Sequence, residues 1–135
     1  MAYLLDTNTC VEYLRQRNSA VVARIAATPP GAIRLCSVVK AELYHGAHRS
    51  QQVQQNLAKV ENFLRPFVSI PFEDDAAREY GRLRADLESR GLVIGPHDLQ
   101  IAAIALVHGL TLVTHNTKEF RNVGGLNLED WQAPP

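Results

Sequence analysis

The sequence predicts an α/β protein: a three-layer α/β/α domain with a mostly parallel central sheet. Three observations predict it. Short apolar runs of strand length alternate with longer stretches of three- and four-residue periodicity. One late helix is apolar on nearly every face and must lie inside. No internal repeat or low-complexity linker interrupts the order. Strands separated by helices pair in parallel, and the helices cover both faces of their sheet.

The first strand is Tyr3-Leu4-Leu5, closed by Asp6-Thr7-Asn8, where Asp6 suits a helix cap. Val11, Tyr13 and Leu14 carry that helix to about Gln16. Ser19 caps a second helix bearing Val21, Val22 and Ile25, and Thr28-Pro29-Pro30-Gly31 stops it. Residues 32–36 form the second strand, and Ser37 caps the helix behind it, with Val38, Val39, Ala41 and Leu43 in its first turns. Over residues 51–64, Val53, Leu57, Val60 and Leu64 make one apolar stripe that Pro66 ends. Residues 67–70 form the third strand, closed by Pro71. Residues 76–90 are helical, with Tyr80, Leu83 and Leu87 on one stripe and Gly91 as terminator. Pro96 suits the first turn of the buried helix over 98–108. Gly109 ends that helix, and residues 110–113 form the fourth strand. Gly124-Gly125 reads as a turn, and Trp131 as an anchor for the last segment.

A length of 135 residues suits one domain, residues 1–135, and 46% hydrophobic content can fill its core, which argues against a disordered chain. No unbroken apolar stretch reaches the ~20 residues of a membrane span. The opening residues carry neither a basic leader nor a cleavage site, so a cytoplasmic location is expected. Cys10 and Cys36 have no Cys-x-x-Cys partner and read as buried free thiols. With 14 basic and 14 acidic side chains, the chain has no excess charge for coating nucleic acid, so any basic surface must be local.

Three acids stand out. Asp6 follows a strand, Glu42 sits among apolar neighbours on a helix, and Asp98 opens the most apolar helix. Singly, each has an ordinary role: a cap, a solvated side chain, a partner for the helix dipole. Together they come from separate segments at strand ends and helix starts, where parallel sheets place reactive groups. Carboxylates buried together repel at a cost of several kcal/mol per uncompensated charge, which a bound cation removes. Hard cations such as Mg²⁺ prefer oxygen ligands. Such a pocket suits phosphodiester chemistry, because a metal activates water and offsets charge on the phosphate.

The segments Leu4-Leu5-Asp6-Thr7-Asn8, residues 37–42, Gly95-Pro96-His97-Asp98 and Val113-Thr114-His115-Asn116-Thr117-Lys118-Glu119-Phe120 resemble, in order and spacing, the signature blocks of PIN-domain nucleases. From Tyr3 to Trp131 the chain is similar to the VapC toxin branch. The resemblance implies a PIN-like fold and a toxin endoribonuclease that hydrolyses RNA with metal-activated water and Mg²⁺ or Mn²⁺ as cofactor, leaving a 5′-phosphate and a 3′-hydroxyl. It implies Asp6, Glu42 and Asp98 as metal-binding acids. Asn116 matches the fourth catalytic position, which many members fill with Asp; an amide there puts a second metal in doubt. Thr114 matches the hydroxyl that supports the pocket, and Thr7 and Asn8 match neighbours that orient the first acid. The partners it implies are a cognate antitoxin that pushes a basic side chain into the acids, a second copy of the toxin, and RNA. The wording of the last two blocks most resembles members that cut transfer RNA in the anticodon region. The helix over 51–64 and the one before it are the expected wall of the antitoxin groove.

Candidate RNA contacts are Lys40, His45, His48, Arg49, His97 and His115. Glu42-x-x-His45 is also the motif of di-iron bundles, but the second copy they need is missing. A signalling receiver normally carries paired acids after its first strand, and an aspartyl phosphatase begins Asp-x-Asp. Here Asp6 has no acidic neighbour, and Asn8 stands where the second acid belongs. The alternatives are a phosphoacceptor signalling receiver, which a stable acyl phosphate formed from a small phosphodonor would support, and a non-catalytic RNA-binding domain with an idle acidic pocket.

Overall fold

In the computed structural model, which describes residues 1–133, five strands form one sheet. They are β1 (Tyr3–Leu5), β2 (Ile33–Cys36), β3 (Val68–Ile70), β4 (Thr111–Val113) and β5 (Leu128–Glu129). Their order is β3-β2-β1-β4-β5, and every neighbouring pair is parallel. The helices between them are α1 (Thr7–Leu14), α2 (Ser19–Ala27), α3 (Ser37–His48), α4 (Val53–Leu64), α5 (Asp74–Ser89), α6 (Pro96–Val107) and α7 (Thr117–Phe120). The expected mostly parallel sheet is therefore parallel throughout. Among the described residues, no helix is long and apolar enough to cross a membrane.

β1 lies at the centre, with Leu4 and Leu5 wholly buried. The main core runs from Leu4 to Trp131 and includes the expected buried helix, whose Ile101, Ala102, Ile104 and Ala105 have no exposed surface. A smaller cluster forms where α5 meets α6, from Leu83, Leu87, Ile94, Leu99, Ala103 and Val123. Helix α6 thus packs on two sides, which is why its pattern lacks a polar face. Both cysteines are buried and unbridged.

The structure corrects several local expectations. Asn18, not Ser19, caps α2, its Oδ1 accepting from the Val21 N–H at 3.1 Å. Cys36 holds the cap position of α3 without a side-chain bond, so Ser37 is the first helical residue. Helix α1 ends at Leu14, and Gln16 takes a left-handed backbone (φ 54°) that no helix continues through. Helix α5 begins earlier than its apolar stripe, because Asp74 and Asp75 favour a helix N-terminus. Strand β5 and the single turn of α7 went unread, since two to four residues carry no measurable period.

From β1 the chain passes to β2 and β3 on one side, and it later fills β4 and β5 on the other. The boundary between β1 and β4 is a topological switch point. Open α/β sheets form a crevice there, beyond the carboxyl ends of the strands.

Candidate functional site

Asp6 leaves β1 directly into that crevice as the N-cap of α1, its Oδ1 accepting from the Thr9 N–H at 2.9 Å. Its own N–H donates to the Val113 carbonyl of β4 at 3.0 Å, and the Thr9 hydroxyl donates to the same carbonyl at 3.3 Å. The cap fixes the carboxylate where β1 and β4 end, so the structural role does not preclude a chemical one. Burial pushes the Asp6 carboxyl up from its ordinary range; hydrogen bonds from Thr114 and Thr9 oppose this, and the Glu42 charge adds to it.

Glu42 sits more than a turn into α3 and is half-buried. Its Oε1 accepts from the Thr7 hydroxyl at 2.6 Å, and its Oε2 lies 3.6 Å from His97 Nδ1. One side chain thereby links α1, α3 and α6. Asp98, in the first turn of α6, is half-buried, and its pKa is pushed from 3.8 up to about 6. Burial is the largest cause, followed by the charges of Asp6, Glu42 and Glu119, with His97 in opposition. The three acids expected from sequence therefore lie within electrostatic reach of one another.

Glu119 is the member that sequence reasoning missed. It lies on α7, and its Oε2 accepts from the Asn116 amide at 2.6 Å. The Asn116 N–H in turn donates to the hydroxyl of Thr114, which is wholly buried. Asn116, expected among the catalytic residues, holds a neighbouring carboxylate through its amide. The available signal was the spacing Asn116-Thr117-Lys118-Glu119, a cap followed three residues later by Glu.

The other candidates scatter. Asn8 is exposed, and no described hydrogen bond joins it to the acids. Lys40 is half-buried on α3, while His48 and Arg49 are exposed near its end. His115 lies 3.0 Å from Asp130, tied to the C-terminal segment rather than facing the acids. His45 and His97 line one cleft with Glu42. A second groove, of about 470 Å³, runs past Glu42 between α1, α3 and α4, with Leu14, Leu43, Ala47 and Val60 in its wall.

Among the described residues, no three His, Cys, Asp or Glu side chains form a preformed metal cage. The donor set nonetheless fits a hard cation. It is all oxygen, because burial keeps the thiols of Cys10 and Cys36 protonated. Its carboxylates repel one another, and only His97 counters that at Asp98. Mg²⁺ keeps several waters and needs only one or two carboxylates, so it does not require a closed cage of side chains.

The PIN domain family matches residues 3–126. The chain is similar to the tRNA(fMet)-specific endonuclease VapC of Shigella flexneri, 37% identical over 131 residues that cover 97% of this chain and 98% of that protein. Among solved structures it is similar to VapBC2 from Rickettsia felis bound to a DNA fragment from its promoter, with a TM-score of 0.88 at 36% identity, covering 97% of this chain and 99% of that one. It is likewise similar to DNA-bound VapBC from Salmonella typhimurium, with a TM-score of 0.91 at 33% identity over 97% and 98% of the two chains.

Proposed function

The chain belongs to the PIN-domain family, and from that premise we propose that it is the toxin endoribonuclease of a VapBC-type toxin–antitoxin pair. The observation that carries this reading is the meeting of like charges from four segments, Asp6, Glu42, Asp98 and Glu119, at the β1/β4 switch point. A protein that needed these side chains only for stability would have neutralised them with Lys or Arg. The whole chain acts as one nuclease unit in the cytoplasm.

PIN-domain ribonucleases are generally dependent on divalent metals, and Mg²⁺ or Mn²⁺ is the proposed cofactor here. Asp6, Glu42 and Asp98 would hold it, with Glu119 adding charge. Bound there, the cation supplies Lewis-acid charge to the scissile phosphate and makes water acidic enough to attack at neutral pH. The remaining residues keep the carboxylates in place. Thr9 and Thr114 hold Asp6 by hydrogen bonds. Thr7 fixes one oxygen of Glu42, and His97 faces the other. The Asn116 amide presents Glu119. Asn8, and with it the basic side chains outside the cleft, plays a lesser part.

The substrate is RNA, and the likeness to a tRNA(fMet)-specific endonuclease favours transfer RNA cut in the anticodon region. The toxin works as a homodimer. Its antitoxin lays an apolar helix in the groove between α1, α3 and α4 and extends a basic side chain to the acids, which Glu42 adjoins. Purified protein is therefore expected to cut RNA with Mg²⁺ or Mn²⁺ and to stop when EDTA is added. Full activity in excess EDTA would overturn the proposal.

A further inference from the structure

We propose that the cleft beside Glu42 is a nucleobase subsite, which takes the unstacked base of a nucleotide adjoining the scissile phosphate. This rests on the nuclease reading above and names how that site grips its substrate. The cleft, of about 420 Å³, is lined by Ser37, Val38, Ala41 and Glu42 from the start of α3, by His45 one turn on, and by His97 and Gln100 of α6. It falls in the size range of small-molecule sites, roughly 300–1,000 Å³.

The lining suits a base in particular. A base is apolar on its faces and polar at its edges, and proteins seize single-stranded RNA by stacking the faces and hydrogen-bonding the edges. Val38 and Ala41 give an apolar floor. His45 and His97 are exposed and offer rings for stacking. Gln100 brings an acceptor and two donors, the groups needed to read a base edge.

Two observations separate a base from other occupants. No Lys or Arg is among the residues that line the cleft, and Glu42 is, so a phosphate would meet a carboxylate with no permanent cation beside it. The aliphatic surface comes from Val38 and Ala41 alone, too small to anchor a protein helix, whereas the groove past α4 has larger side chains. Glu42 also joins the cleft to the acids, so a base held here puts its own phosphate beside them.

The test uses His45→Ala and Gln100→Ala in the full chain; His97 is left intact because it touches Glu42. An RNA that the wild type cuts is mapped from total RNA and resynthesised, intact or with an abasic ribose on either side of the cut. Each variant is expected to raise KM roughly tenfold on intact RNA while kcat moves less than about twofold. An abasic site on the responsible flank is expected to raise the wild-type KM similarly and to erase the difference between wild type and variants. Wild-type KM in both variants overturns the proposal, as does an equal handicap on intact and abasic RNA. Unchanged KM with loss of dimer mass in sedimentation also overturns it, making the cleft a protein contact. A wild type that cuts no RNA with Mg²⁺ or Mn²⁺ overturns the nuclease reading first, a result distinct from all the others.

Discussion

Asp98 keeps its proton to about pH 6, well past the point where a carboxyl in water has lost it. The sign of the consequence is fixed. Unfolded, the group titrates near 3.8; folded, near 6; so the cation-free protein loses stability as pH rises through that window and has lost the whole contribution above it. Asp98→Asn removes the penalised charge. In EDTA it is expected to raise Tm at pH 7.5, by roughly 3 °C, and to change it little at pH 4, which thermal melts at the two pH values will check. Asp6 makes a complementary case, because its cap needs an oxygen and its proposed chemistry needs a charge. Asn caps as well as Asp, so Asp6→Asn is expected to fold normally, while Asp6→Ala loses about 1 kcal/mol. Cleavage assays on both are expected to show activity down by at least roughly 100-fold, since changes one shell further out already cost 10–100-fold. Cutting by Asp6→Asn at the wild-type rate would remove Asp6 from the mechanism.

The elements matter through what joins them. Thr7 on α1 and Glu42 on α3 are separated by 35 positions and joined by one 2.6 Å hydrogen bond. Thr7→Val keeps the shape and deletes the donor. It is expected to cost about 1 kcal/mol in denaturant unfolding and to lower kcat roughly tenfold by freeing Glu42. Trp131 closes the last segment onto the sheet. It is 2% exposed, its ring meets Tyr3 edge-on at 5.2 Å, Arg24 lies over it at 5.0 Å, and its Nε1–H donates to Glu129 at 3.0 Å. Arg24 also pairs with Glu129, so one residue on α2 serves both β5 and the indole. Trp131→Ala is expected to cost about 3–5 kcal/mol, read from the denaturation midpoint. A loss under about 1 kcal/mol would mean that β5 holds without its anchor.

For the whole molecule, the proposed cation is a ligand of the folded state alone, because the acids come together only when the sheet is built. Mg²⁺ at a hundred times its Kd is expected to add about 2.7 kcal/mol to wild-type stability, and chelation to remove it. Asp98→Asn is expected to lose most of that gain. Equal stabilisation of both proteins by Mg²⁺ would locate the ion elsewhere.

Much was legible in the order of residues. Alternating runs gave four of the five strands and the parallel sheet, because period and turn residues are local properties. The all-apolar pattern of α6 marked it as interior. Asp6, Glu42 and Asp98 stood out because charge embedded in apolar sequence is costly, and the family blocks around them fixed their relation to one another. Glu119 did not stand out, for a single helical turn shows no period and Asn116 occupied the position where an acid was sought. Which acids face each other depends on β4 lying against β1 rather than β3, a pairing between residues more than a hundred apart. Only packing decides that, and in this order β1 is flanked on both sides with Leu4 and Leu5 wholly buried. Tertiary structure also separated His45 and His97, drawn into one cleft, from His115, paired with Asp130. In sequence all three were candidate RNA contacts, and position in three dimensions alone separates the pair that shares a cleft.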